Sequence, residues 1–109
     1  MRIRYAVIAD IVGSRDLPDR DRAQQIFLDV LARAGEGLDL LRGPYATVGD
    51  EFQAVAHDLG TALTLTLRAQ LLLPDALSLR FGVGAGEIRE VGAGAAVQDG
   101  SAWWLAREA

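Results

Sequence analysis

A run of largely apolar residues near the N-terminus, residues 2–11, limits the possible folds more than any other part of the chain. Its β-branched and apolar residues are followed by Gly13 and Ser14, a pattern that predicts a strand. Because the apolar residues follow one another almost without a break, we expect this strand to lie in the centre of a sheet. Asp10 nevertheless interrupts the run near its end, and a charged group at this position requires an explanation.

A one-sided helix is predicted to follow the first strand. From Asp21 onward, apolar residues recur at the three- and four-residue spacing of a helix. They are Ala23, Ile26, Phe27, Val30, Leu31 and Ala34. Pro18 suits the approach to this helix, and Asp19 lies where the helix dipole favours an anion. Gly35 or Gly37 should end the helix.

A hairpin is predicted next. Gly43 and Pro44 restart the chain in extended form, and residues 45–48 and 52–56 are expected to form two short strands. Between them lie Gly49, Asp50 and Glu51, which predict a polar hairpin tip.

The second half of the chain predicts a helix and then a strand. Leucines and threonines alternate within residues 59–73 as they would in a strand. The length of the segment, Asp58 as an N-cap and Pro74 as a stop favour a helix. Residues 77–88 predict a strand with two unlike faces. One face carries Leu79, Phe81, Val83 and Ala85, and the other carries Gly82, Gly84 and Gly86.

The C-terminal residues are expected to form a loop of small residues over 92–100 and a helix over 101–109. No cap follows this helix, so we expect the sequence to end inside an element. The order up to the glycine-rich strand is strand, helix, strand, strand, helix, strand, which is the βαββαβ arrangement of ferredoxin-like α+β domains. We therefore expect one domain over residues 1–109, with an antiparallel sheet and two helices on one face.

Composition and charge exclude several classes of function. The formal net charge of −4 argues against a broad basic face for nucleic acid, so no nucleic-acid partner is expected. The chain has no cysteine and a single histidine, His57, so a bound metal ion must use oxygen ligands. Its apolar stretches are too short to span a bilayer, and we expect a soluble, cytoplasmic protein without a membrane partner.

The predicted topology brings acidic residues together. The first strand should lie beside the second strand of the hairpin and antiparallel to it. The hairpin tip then lies next to the C-terminal end of the first strand, so that Asp50 and Glu51 approach Asp10. Carboxylates this close repel one another unless a cation neutralises them. A hard divalent ion such as Mg²⁺, which commonly shares the phosphate oxygens of a substrate, suits such a site.

The turn after the first strand is a candidate for phosphate binding. Val12, Gly13 and Ser14 offer backbone N–H groups, and a helix N-terminus follows them. Gly13 permits close approach of a phosphate, and Arg15 supplies a positive charge. The simpler alternative for Asp10 is that its side chain caps this turn.

Several motifs resemble known families. The stretch ADIVGSRD resembles the first-strand metal motif of class III nucleotide cyclases, and TVGDEFQAVA is similar to their hairpin and to that of GGDEF-type diguanylate cyclases. RFGVGAGEI resembles the cyclase strand that ends in a Gly-Glu pair. Taken together, IADIVGSRDLPDR, GDEF, FGVGAGEI and DGSAWWLAREA resemble the SatD family over nearly the whole chain.

The cyclase resemblance implies a reaction and a set of residues. Asp10 and Asp50 would bind Mg²⁺ or Mn²⁺ together with the carbonyl of Ile11. A ribose hydroxyl of a nucleoside triphosphate would attack the α-phosphate with loss of pyrophosphate. Arg107 matches the arginine of a late cyclase helix and, with Glu51, is a candidate catalytic residue. That helix usually faces the metals of a partner subunit, so the resemblance also implies a homodimer.

Two departures from the family patterns leave other functions open. Trp103 stands where cyclases have the asparagine that precedes this arginine, and Val48 replaces the first glycine of the GGDEF motif. The protein is therefore expected to be a cation-dependent nucleotide enzyme or a nucleotide-sensing module without catalysis. A third alternative is a purely structural dimerisation domain, whose glycine face and tryptophans form a subunit contact.

Overall fold

The computed structural model describes residues 3–13, 18–46, 51–91, 97–99 and 101–108. The elements are β1 (Arg4–Ile11), α1 (Arg20–Ala34), β2 (Leu40–Ala46), β3 (Glu51–Ala56), α2 (Leu59–Leu72), β4 (Leu79–Gly86), β5 (Arg89–Val91), β6 (Val97–Asp99) and α3 (Ser101–Glu108). The first six follow the predicted order, and the chain has the expected mixed α+β composition.

Four strands form an antiparallel sheet in the order β2-β3-β1-β4. The first strand lies inside the sheet between β3 and β4, which confirms the central position predicted from its apolar sequence. This order agrees with the βαββαβ arrangement of a ferredoxin-like fold. A separate two-stranded sheet is formed by β5 and β6.

The larger of two apolar clusters lies between one face of the sheet and the helices α1 and α2. Its β1 members alternate along the strand, as they must when only one face points to this core. The buried residues are Val7, Ala9, Ile11, Ala23, Phe27, Val30, Leu31, Ala34, Phe52, Ala54, Ala56, Ala62, Leu65, Ala69 and Leu79. The prediction of two helices on one face is confirmed.

The opposite face of the sheet is covered by α3 of the same chain. Ala102 and Ala106 pack there against Ala6, Ile8 and Val55 in a second apolar cluster. This helix approaches β4 closely because the strand has glycines on this face. The chain's own helix therefore occupies the space at Gly84 and Gly86, so these two glycines do not provide the open surface that a subunit contact through the glycine face would use.

The ends of α1 and α2 agree with the signals in the sequence. Asp19 caps α1, and Gly35 is its C-cap. The Asp58 carboxylate accepts a hydrogen bond of 2.7 Å from the backbone N–H of Thr61, and α2 ends at Leu72, two residues before Pro74. The helix interpretation of the alternating leucines and threonines is thus confirmed.

The structure differs from the predictions in β2, β5 and β6, and Glu51, predicted at the hairpin tip, is the first residue of β3. The strand β2 begins at Leu40 rather than at residue 45, because Leu40 and Arg42 pair with the end of β3 through irregular register. Gly43 lies within that irregular stretch at a φ of 79°, and a Cβ there would lie 2.6 Å from the Gln53 carbonyl oxygen. Residues 89–91, for which no strand was predicted, form β5, and residues 97–99, predicted as loop, form β6 against it. Strands of three residues are too short for alternation to reveal them.

No helix within the described ranges is both long and apolar enough to cross a membrane.

Candidate functional site

The register of the sheet brings charged residues together at the C-terminal end of β1. Asp10 is paired directly with Glu51 of β3 on one side and with Arg80 of β4 on the other. Residues paired directly across antiparallel strands have side chains on the same face of a sheet. The predicted approach of Glu51 to Asp10 is confirmed, and the face that they share is the one covered by α3.

A cavity of about 340 Å³ lies between this end of the sheet and α3. Its lining contains two carboxylates and two guanidinium groups. The lining residues are Ile8, Asp10, Glu51, Arg80, Phe81, Gly82, Ala106 and Arg107. The volume lies within the range of sites for small molecules, and the charged lining favours a charged ligand over an apolar one.

Arg107 is positioned by an ion pair across the cavity wall. Its guanidinium donates to the two carboxylate oxygens of Glu51, with N–O distances of 2.7 and 3.4 Å. The Glu51 side chain is only 18% exposed, whereas Arg107 is 55% exposed. The two-point contact orients the guanidinium plane and joins α3 to β3. The arginine thus lies beside acidic residues of its own chain.

A chain of hydrogen bonds extends from Glu51 to β2. The Gln53 amide donates to the Glu51 carboxylate at 2.8 Å, and the Tyr45 hydroxyl donates to the Gln53 side-chain oxygen at 3.1 Å. The Arg42 guanidinium also lies over the Tyr45 ring, 5.1 Å from its centroid. Glu51 is therefore held from two sides, and this network fixes one wall of the cavity.

The pKa of Tyr45 is raised above its usual value of 10.0. Burial of the phenol is the largest cause, opposed by the positive charge of Arg42 and reinforced by the negative charge of Glu51. Folding therefore favours the neutral phenol. Its contribution to stability is complete below pH about 10 and is lost as the pH rises through the folded-state pKa.

We therefore expect one tyrosine of the folded protein to ionise above its ordinary range in an alkaline titration followed by tyrosinate absorbance. The chain has two tyrosines, so a Tyr45→Phe variant assigns the transition, which should be missing from its titration curve. A Tyr45 transition at or below the ordinary value would contradict the burial of this hydroxyl.

Asp10 differs from Glu51 in its partners. Its side chain is half-buried, and within the described part of the chain no hydrogen bond or ion pair engages its carboxylate. Ile11 is the last residue of β1, and its side chain is buried in the larger cluster. An available carboxylate beside an acidic neighbour suits Mg²⁺ or Mn²⁺, because such ions are commonly bound by one or two carboxylates and substrate oxygens.

Of the remaining predicted site residues, the structure describes Val12 and Gly13. Gly13 lies in the turn after β1 at a φ of 66°, which favours glycine. The neighbouring Val12 amide donates to the Ser78 carbonyl at 3.0 Å, so this amide is occupied in the structure. Ser14, Arg15 and Asp50 lie outside the described residues. Among those described, no group of three or more potential metal ligands occurs.

Arg80 is a site residue that the sequence reasoning missed. It precedes Gly82 by two residues, so alternation alone places it on the glycine face of β4. Arg80 lies next to Asp10 because β1 and β4 pair in antiparallel fashion with these two residues opposite each other. The signal was thus present in the sequence, but an exposed arginine at the start of a strand usually has no role in a site.

Comparison with curated protein sequences finds no significant match. A family model described as the SatD family matches residues 4–109. The match includes β1, the hairpin, the glycine-rich strand and α3, and therefore every residue that lines the cavity. The chain belongs to the SatD family.

Proposed function

We propose that this protein binds a nucleoside triphosphate together with Mg²⁺ or Mn²⁺ in the cavity between β1 and α3. The observation that carries the proposal is the side-by-side pairing of Asp10 with Glu51 and Arg80, with Arg107 on the same cavity. Acidic and basic groups on one small cavity suit a ligand that carries phosphates and a cation at once. The cytoplasmic location predicted from the sequence is part of this proposal.

Each charged residue has a distinct role in the proposal. Asp10, with the Ile11 carbonyl and Asp50, would hold the cation, which when bound neutralises phosphate oxygens. Arg80 and Arg107 would contact phosphate oxygens that the cation leaves exposed, because a guanidinium matches phosphate geometry. Glu51 positions Arg107 through the ion pair at 2.7 Å.

The reaction proposed for this site is phosphoryl or nucleotidyl transfer in the manner of a nucleotide cyclase. Attack of the ribose hydroxyl on the α-phosphate requires the triphosphate to be held at both ends, and Arg80 and Arg107 lie on different elements that both line the cavity. A guanidinium on the pyrophosphate would stabilise the charge that develops as it leaves.

A nucleotide-sensing module without catalysis is the second candidate. It is favoured by Trp103 at the position of the cyclase asparagine and by the ion pair that already engages Arg107 with Glu51. In this case the ligand would bind and stabilise the protein, but no product would form. Both candidate functions include the formation of a homodimer.

Titration calorimetry with the four common ribonucleoside triphosphates tests the proposal. We expect binding of at least one of them with Mg²⁺ or Mn²⁺, weakened roughly tenfold or more by a chelator, which corresponds to about 1.4 kcal/mol. Chromatography of the same mixtures then separates the two candidates by the presence or absence of product. No binding of any nucleotide with either cation would contradict the proposal.

A further inference from the structure

The helix α2 carries a row of exposed leucines on the side that faces away from the sheet. Leu59, Leu63, Leu67 and Leu71 recur at intervals of four residues and are 47, 49, 56 and 76% exposed. Residues four apart lie on one side of a helix. These four residues, here named the leucine face, are opposite the side on which Ala62, Leu65 and Ala69 enter the core.

The leucine face is apolar beyond its leucines. The Thr64 hydroxyl donates to the Gly60 carbonyl at 2.7 Å, and the Thr66 hydroxyl donates to the Leu63 carbonyl at 2.9 Å. Both hydroxyls are therefore satisfied within the helix and need no water or partner.

Arg68, the single charged residue of α2, contacts the end of α1 and not the leucine face. Arg68 donates to the backbone carbonyls of Ala34 and Glu36, at 3.4 and 3.0 Å, at the end of α1. A partner that recognises this helix through its own charges would find no opposite charge on the leucine face. A basic amphipathic helix that binds anionic lipid needs Lys or Arg residues beside its apolar side, and α2 has no lysine and only this arginine.

The size of the leucine face fits a weak interface rather than a permanent one. Its leucines leave on the order of 400 Å² of apolar surface in water, which is in the range where the largest patch on a monomer is often functional. A stable interface buries about 800 Å² on each partner, so the leucine face would supply about half of one. The exposed residue Gln70 lies beside Leu63 and Leu67 on the same side of the helix and extends the face slightly.

We propose that the leucine face is the contact between two copies of this chain. A two-fold interface uses the same patch on both subunits and therefore needs a self-complementary surface. A row of uncharged leucines at regular spacing meets that requirement, because the side chains of one helix can enter the spaces between those of the other. The contact specifies the homodimer of the proposed function, but it lies on the helix layer opposite the cavity, so nucleotide binding and dimerisation can fail separately.

Sedimentation velocity over a roughly hundredfold range of concentration tests the contact. We expect the protein to pass from monomer to dimer, and Leu67→Glu to weaken this association at least tenfold. Leu105→Glu is the matched control, because Leu105 is 49% exposed but lies on α3; this variant should dimerise as the wild type does. Melting curves of both variants verify that they fold.

The absence of cysteine allows a second, direct measurement. Single Leu63→Cys and Leu67→Cys variants introduce one thiol each, and at least one should form a disulfide-linked dimer on mild oxidation. Leu105→Cys should not. A wild-type protein that stays monomeric throughout the concentration range would overturn the proposal, as would association that survives Leu67→Glu. Binding of a monomeric protein to phosphatidylcholine–phosphatidylglycerol vesicles, lost in Leu67→Glu, would also overturn it in favour of a membrane surface.

Discussion

Replacement of Asp10 with asparagine is expected to abolish cation-dependent nucleotide binding while the protein stays folded. Asparagine keeps the size and shape of the side chain but removes the charge that would attract Mg²⁺. In calorimetry with Mg²⁺ the affinity for the nucleotide identified with the wild type should fall by roughly tenfold to a hundredfold, or about 1.4 to 2.8 kcal/mol. With a chelator present, the variant should bind no more weakly than the wild type.

Two further variants make this experiment specific. Asp39→Asn removes a carboxylate that is 93% exposed and precedes β2 at the opposite end of the sheet, so it should leave binding unchanged. Arg80→Gln should weaken binding both with Mg²⁺ and with chelator, because the arginine is proposed to contact phosphate itself. Equal affinity of Asp10→Asn and wild type in Mg²⁺ would refute the cation role of Asp10.

Replacement of Gly84 with valine is expected to displace α3 from the sheet. A Cβ at Gly84 would overlap the Ala102 carbonyl oxygen and the Ala106 amide nitrogen, and would lie 2.9 Å from the Leu105 carbonyl carbon. These are backbone atoms, so no rotamer change can make room. Overpacking usually costs about 1–3 kcal/mol, and a backbone clash belongs at the upper end of that range or beyond it.

Urea unfolding and amide hydrogen exchange measure this effect. The free energy of unfolding should fall by about 3 kcal/mol, and the amides of residues 101–108 should lose their protection while those of α1 keep theirs. Nucleotide binding should also weaken, because Arg107 moves with α3. Ala85→Val is the matched control, since Ala85 is the next residue of β4 and is exposed. Protection of α3 that is unchanged in Gly84→Val would contradict the close packing of this helix on β4.

The helices and their ends were predictable because their signals are local. Apolar spacing, Asp58 before α2 and Gly35 after α1 each act within a few residues, and the structure confirms them. Leu40 at the start of β2 and the short strand β6 were missed for the opposite reason. Their pairing depends on a distant partner strand and on irregular register, to which the local sequence contributes little.

The candidate site was predictable in part for a related reason. Asp10 stands out because a charge in an apolar strand is costly without a partner. Its approach to Glu51 followed from topology, which the order of elements predicted. Arg80 was not identified, and the position of Arg107 followed only from a family resemblance. Both arginines join the site through contacts between elements far apart in the chain.

The sequence by itself determined the three helices and most of the four strands of the main sheet, and that an aspartate near the end of the first strand would lie beside a polar hairpin. Only the tertiary structure decided that α3 covers the glycine face and that Arg107 reaches Glu51. It also decided that the leucines of α2 remain exposed. The periodicity of apolar residues indicates which residues lie on the same side of one helix or strand. Which element packs against that side depends on contacts between segments that are far apart in the chain.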